Sequence, residues 1–345
     1  MKVSVIIPCY NVENFVEIGL YSIMNQSYKD MEIVCLDDSS TDDTFDILSS
    51  LSLKDSRIKL FRNENNLGLI GTLNRLVGLA ENEVLIRMDP DDISEPRRIE
   101  TLVEEYKKNN YDIISSDYSF IDEEGNSLKQ IKFKLLNTEL GIKYTTFFNS
   151  PIPHPQSLIK KEILKEYPYD ESFKAAEDYR LWSILLNKNE IRIKIIDDKL
   201  YRYRINLNGM SNLNSKIQSK NHIKIAKEFT AKNLNIDTTF MNFWEISKKE
   251  YNFNKVKRIQ LVETLNDIVL VYNLFSKKET LNTKELLEIS NYTSQYLIFT
   301  YVTIFRQCYK INRLKLAFSA VIPNLIRNYK LIFKYDNLLW LTKKG

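Results

Sequence analysis

The chain is short of cysteine, glycine and long apolar runs, and each shortage excludes something. Cys9, Cys35 and Cys308 are the only cysteines among 345 residues. So sparse and odd a set builds no disulfide framework and fits a reducing compartment. Eight glycines are too few for a collagen-like or Gly-rich linker architecture. No stretch approaches the ~20 apolar residues of a membrane-spanning helix. The nearest, Leu297–Phe305, is interrupted by Thr300, Tyr301 and Thr303. The first apolar run, Val3–Ile7, is ended by Pro8, Tyr10 and Asn11 and is too short for a secretory signal core. These absences predict a cytoplasmic chain. Its 43% hydrophobic and 27% charged residues are ordinary for a globular protein. The length suits one large domain plus a small one, or two domains, with enough core to fold without disulfides.

The net charge of +4 is unevenly spread. Residues 301–345 hold nine Lys or Arg against one acid, Asp336, and the remainder is slightly acidic. The same stretch is apolar and aromatic, with Leu314, Phe318, Val321, Ile322, Leu325, Ile326, Tyr329, Phe333, Leu338, Leu339 and Trp340, many at helical spacing. Such a segment suits an anionic membrane interface, so peripheral contact at the inner face of the cell membrane is expected, and nucleic acid is not. The alternative is a basic helix packed on the body of the protein. Pro323 predicts a break or kink in the pattern.

Along the first 120 residues, short apolar runs alternate with helical periodicity. Strands are expected at Val3–Ile7, Glu32–Leu36, Arg57–Phe61, Glu83–Met88 and Asp112–Ser116, with helices between them. That alternation implies an α/β fold with a mostly parallel central sheet flanked by helices. The pattern is mixed from about 120 to 215 and helical from about 216. Domains are therefore expected at 1–215 and 216–345.

In open parallel sheets, ligands bind beyond the carboxyl ends of the strands. Three polar clusters fall at such ends: Pro8–Asn11, Asp37–Thr44 and Asp89–Asp92. Helix capping accounts for Ser40, Thr41 or Asp42, but less well for the two carboxylates before them. Asp89 and Asp91, two apart in an extended segment, lie on one side, as a hard divalent cation requires. Glu177-Asp178 opens a helix whose apolar face is Tyr179, Leu181, Trp182, Ile184 and Leu185. The helix dipole alone would favour acids there.

Taken in order, these segments resemble the family 2 glycosyltransferases with the Rossmann-like GT-A fold, over roughly residues 2–210. Val3-Ser-Val-Ile-Ile-Pro-Cys-Tyr-Asn11 looks like the opening strand, Asp37-Asp-Ser-Ser-Thr-Asp42 the nucleotide-binding turn, and Asn65-Asn-Leu-Gly68 with Asn74 the donor-side segment. Asp89-Pro-Asp-Asp92 matches the metal-binding Asp-x-Asp, and Ala176-Glu-Asp-Tyr-Arg-Leu-Trp182 the catalytic Glu-Asp helix.

The resemblance implies transfer of a sugar from a nucleotide sugar, here a UDP-sugar, to a hydroxyl of a saccharide or lipid-linked acceptor, with inversion and with Mn²⁺ or Mg²⁺. It places the nucleotide-sugar half at 1–95 and the acceptor half at 96–215. By that likeness Pro8, Tyr10, Asn11, Asp37, Asp38, Asn65, Gly68, Arg87, Asp89 and Arg204 surround the donor. Tyr10 would stack on the base and Asp38 would hydrogen-bond it. Asp89 and Asp91 would hold the metal, and Asp178, with Glu177 beside it, would be the general base. Synthesis of a bacterial surface polysaccharide or lipooligosaccharide is the expected setting.

Two departures stand out. Tyr203-Arg-Ile-Asn206 has Asn206 where the family often has a histidine, and Leu69-Ile70-Gly71 replaces its usual small polar residue and Ala-Arg. Arg202 or Arg204 would then meet the diphosphate. His154, between Pro153 and Pro155, reads as a locally packed ring. The competing readings are a sugar-phosphate nucleotidyltransferase and a non-catalytic nucleotide-sugar or nucleic-acid binding protein.

Overall fold

The structure, a computed structural model, describes residues 1–129, 133–188, 190–205, 215–239, 241–248 and 251–333. The chain divides into two compact units, one of residues 1–131 and 150–218, the other of 132–149 and 219–345.

The first unit is built on one sheet. Its strands are β1 (Val3–Cys9), β2 (Met31–Asp37), β3 (Ile58–Arg62), β4 (Val84–Arg87), β5 (Ile93–Ser94), β6 (Ile113–Ile121), β7 (Ser127–Leu128), β8 (Leu158–Lys160) and β9 (Ile193–Arg204). They run in the order β3-β2-β1-β4-β8-β6-β9-β5, with β7 beside β6. β1, β2 and β4 are buried along their whole length, as central parallel strands covered on both faces must be. From β3 to β4 the sheet is parallel. Beyond β4 it is mixed, because β8 is antiparallel to both neighbours while β9 runs parallel to β6. Four helices, α1 (Val16–Met24), α2 (Thr44–Lys54), α3 (Gly68–Leu79) and α4 (Arg98–Asn109), follow the strands as the periodicity predicts. Their apolar faces are buried through residues such as Leu20, Leu48, Leu73 and Leu102.

The parallel register places the ends of β1, β2 and β4 on one edge. Cys9 is opposite Asp37 on one side, and the Met88 amide donates to Ile6 on the other. Adjacent strands are about 4.8 Å apart, so the turns after β2 and β4 lie about 10 Å from each other across β1. The expected acidic clusters thus share an edge.

The second unit is helical among its described residues. α5 (Glu139–Thr145) belongs to it, with later helices numbered in turn after α6 (Lys161–Glu166) and α7 (Glu177–Leu185) of the first unit: α8 (Ser215–Leu234), α9 (Phe243–Ser247), α10 (Arg258–Lys278), α11 (Thr283–Lys310), α12 (Leu314–Arg327) and α13 (Tyr329–Phe333). Its core is aromatic, with Tyr144, Phe147, Phe148, Phe243, Trp244 and Phe275 buried. Their polar ends are paired, as burial demands: Tyr144 with Thr293 Oγ1 at 2.7 Å, and Trp244 Nε1 donating to the Phe147 carbonyl at 2.7 Å.

The break expected at Pro323 is absent, and α12 runs through it. A proline leaves the carbonyl four residues back without its helical donor. Here Arg258 Nε donates to that carbonyl, Ser319 O, at 3.0 Å. No described helix is long and apolar enough to cross a membrane. Leu338, Leu339 and Trp340 lie outside the described residues.

Candidate active site

The turn after β2 is tied to the start of α3 by one carboxylate. Asp38 accepts from the Leu67 and Gly68 amides at 2.8 Å each and from Asn63 Nδ2 at 2.5 Å. It caps the amino end of α3, where a negative charge is favoured. Gly68 has φ +74, a conformation that suits glycine. Asp37 is fully buried and accepts from Arg62 Nε at 3.1 Å and the Ser40 amide at 3.2 Å. Asn11 has φ 49 and holds the same turn: its amide donates to Ser40 Oγ, and its Oδ1 accepts from the Thr41 amide at 2.9 Å. Pro8 is buried in β1, while Tyr10 stands on the edge 42% exposed. Asn65 is exposed.

After β4 come Asp89, Asp91 and Asp92, whose carboxylate oxygens lie within 4.8 Å of one another. Burial first, then Asp89, pushes the Asp91 carboxyl up to about 6, with Arg87 and Arg204 opposing. Burial, then Asp91 and Asp89, raise Asp92 as well. Hard oxygen donors in so tight a set, two of them pushed toward protonation by burial and by neighbouring carboxylates, fit a divalent cation. Arg87 is buried and ion-paired with Asp89.

The turn is built from far along the chain. The Asp89 amide donates to Tyr201 Oη at 3.1 Å, and Asp92 Oδ1 accepts from the Arg204 amide at 2.7 Å. The buried Arg204 side chain donates to the carbonyls of Asp91, Asp122 and Glu123 at 2.6–2.9 Å. Its Nε and Nη1 therefore brace the Asp89–Asp92 turn. Arg202 is likewise taken, by Glu95 at 2.6 Å. Asn206 lies outside the described residues.

α7 brings the third set of carboxylates. Ala175 has φ +60 just before it, turning the chain so that Glu177 and Asp178 open the helix. Asp178 accepts from Ser150 Oγ at 3.0 Å and from the Tyr179 amide at 2.6 Å. Burial raises its carboxyl, and these two bonds and Arg87 counter the rise. Burial, with Asp178 and Asp89 adding, lifts Glu177 to about 7 while Arg87 pulls the other way. Arg87 thus acts on acids of both the β4 turn and α7.

His154, predicted as a packed ring, is buried at 2.7 Å from Tyr169 Oη, with its edge to Trp182. Burial and Arg87 hold it well below the usual imidazole range, so it is neutral. Asn74 pins the approach to α7 through two 3.0 Å bonds with the Tyr169 backbone.

Sequence reasoning missed Asn63, Tyr201 and Ser150, and also Gln26. That buried side chain donates to Ser22, Ser94 and Glu95 and accepts from the Ile99 amide, joining α1 to β5 and α4. Gln26 lies just past the end of α1, where no local pattern marks it.

Comparison with known proteins places the chain in a family. The model of glycosyl transferase family 2 matches residues 4–168. An uncharacterized glycosyltransferase of Methanocaldococcus jannaschii is 36% identical over 208 residues, 59% of this chain and 70% of that protein. The O-antigen biosynthesis glycosyltransferase WbnJ of Escherichia coli is 31% identical over 209 residues, 59% of this chain and 79% of that protein. Among solved structures, S. aureus TarS 1-349 in complex with UDP-GlcNAc has a TM-score of 0.54 at 20% identity, covering 91% of this chain and 93% of that one. The mannosyltransferase PcManGT of Pyrobaculum calidifontis, solved with GDP-Man and Mn²⁺, has a TM-score of 0.52 at 15% identity, covering 94% and 86%. At such identities the structural likeness speaks for the fold, which is GT-A-like as expected. From the sequence relatives it follows that the chain belongs to glycosyl transferase family 2 and is a glycosyltransferase enzyme.

Proposed function

We propose that the enzyme moves a sugar, with inversion, from a UDP-sugar to a hydroxyl of a saccharide or lipid-linked acceptor in surface-polysaccharide synthesis. One observation carries this reading. The guanidinium of Arg87, buried and ion-paired with Asp89, also pulls down the carboxyls of Glu177 and Asp178, so the two acidic sets share one cation. The O-antigen assignment of WbnJ and the UDP-GlcNAc bound in TarS support the setting and the donor.

Tyr10 offers its exposed ring to the base, and stacking of this kind is worth about 1–3 kcal/mol. Asp38 keeps lone pairs for a base N–H beyond its three bonds. Asp89 and Asp91 would hold Mn²⁺ or Mg²⁺ at the diphosphate. Such an ion, when bound, neutralises charge growing on the departing diphosphate. Asp178 takes the proton of the acceptor hydroxyl as its oxygen attacks the anomeric carbon from the face opposite the leaving group. The new C–O bond forms as the bond to phosphate breaks, and UDP leaves. A placed carboxylate base contributes on the order of 10²–10⁴ in rate. Ser150 holds that carboxylate in place. A lipid-linked acceptor would be met at an anionic membrane, with residues 301–345 as the contact. UDP release from a panel of UDP-sugars with Mn²⁺ tests the reading. Release that persists undiminished in Asp178→Asn would count against it.

A further inference from the structure

The contact proposed above for residues 301–345 can be narrowed to one helix face. α12 is apolar on two sides. Ala317, Ala320, Val321 and Asn324 form its buried side. Adjoining that side around the helix lie Leu314 at 36%, Phe318 at 53%, Ile322 at 40% and Ile326 at 67% exposure, with Tyr329 at 52% just beyond. Each step of four residues advances about 40° around a helix, so these side chains cover about a third of its circumference. A helix apolar on both sides is ordinarily covered on both. α11, by contrast, is largely buried along its apolar length, with Leu297, Tyr301, Ile304 and Cys308 inside.

Charge identifies the cover. No Asp or Glu occurs between Glu288 and Asp336, a stretch that includes Arg306, Lys310, Arg313, Lys315, Arg327 and Lys330. Arg313 is engaged by the carbonyls of Phe253, Asn254 and Val256, but Arg306, Lys310, Lys315 and Arg327 are exposed. An exposed apolar strip on an acid-free, cationic segment complements an anionic lipid surface, with rings and aliphatic chains among the acyl chains and Lys or Arg among the headgroups. A protein partner would not require every neighbouring charge to be positive.

We infer that the Leu314–Phe318–Ile322–Ile326 face of α12 docks the enzyme on anionic membrane. This rests on the membrane contact in the proposed function and adds which surface makes it. The test is flotation of the full chain with vesicles of phosphatidylcholine alone or mixed equally with phosphatidylglycerol. Wild type should float only with the anionic vesicles, and less in high salt. The pair Ile322→Glu with Ile326→Glu should lower partitioning roughly tenfold or more, and Lys315→Glu should lower it less. Melting temperature and UDP release on a soluble acceptor should stay unchanged in both. Equal flotation of the paired variant would overturn the face assignment while leaving membrane contact standing. Absence of flotation in wild type would overturn both, leaving the transfer reaction untouched. A wild-type dimer that the paired variant splits would assign the face to a second copy instead.

Discussion

A side chain at Gly19 of α1 would place its Cβ 2.2 Å from the Pro90 carbonyl oxygen and 3.2 Å from that of Asp92. The helix therefore touches the backbone of the Asp89–Asp92 turn, and the absence of a Cβ is what lets it. Alanine normally stabilises a helix interior by about 0.5–1 kcal/mol over glycine. Gly19→Ala is expected to do the reverse. Overpacking of this kind costs about 1–3 kcal/mol, and here the strain falls on the acids proposed to hold the metal. Calorimetric melting and a metal titration of activity should show a lower melting temperature and a raised metal requirement.

Ser150→Ala should alter the pH–rate profile more than the fold. The Ser150 hydroxyl favours the ionised form of Asp178. Its removal raises the Asp178 pKa further, so the acid limb of the profile moves to higher pH. Asp178→Asn should instead lower kcat on the order of 10²–10⁴ at every pH. Steady-state rates from pH 5 to 9 separate the two.

Stability should fall as pH rises toward neutrality. Glu177 sits at about 7 in the folded chain, against 4.5 for an ordinary glutamate. Between those values the folded chain holds a proton that the unfolded chain has lost, so unfolding free energy declines with pH in that window. Glu177 is buried, and a shift of this size amounts to roughly 3 kcal/mol. Glu177→Gln should flatten the decline and melt higher than wild type at pH 7.5, as differential scanning fluorimetry across pH would record.

Arg204→Lys keeps the charge and loses the fork. One ammonium cannot reach carbonyls at Asp91, Asp122 and Glu123 in the same way, and each buried group left unpaired costs about 1–3 kcal/mol. A lower melting temperature should accompany a weaker response to Mn²⁺.

These residues also mark what the sequence discloses and what it hides. β1, β2 and β4 were legible because a fully buried parallel strand is a continuous apolar run. The acidic turns were legible because consecutive carboxylates at strand ends exceed what a cap needs. β9 was not, since Asp197-Asp198-Lys199 interrupts it and its register with β6 shifts between Ser116 and Tyr118. Gly19, Gln26 and Tyr201 were hidden for another reason. Each serves the β4 turn or its flank across some 70 to 110 residues, and nothing in local spacing announces such a pairing. Arg204 was legible as a site residue, but its bonds to the Asp91, Asp122 and Glu123 carbonyls were not, because they cross some 80 to 110 residues.

Calorimetric titration of UDP, with and without Mn²⁺, bears most directly on the union of the β4 turn and α7 in one site. UDP should bind wild type and Asp178→Asn alike with Mn²⁺ present, and Asp91→Ala should lose the metal-dependent part. UDP affinity indifferent to Mn²⁺ and unchanged in Asp91→Ala would contradict the account.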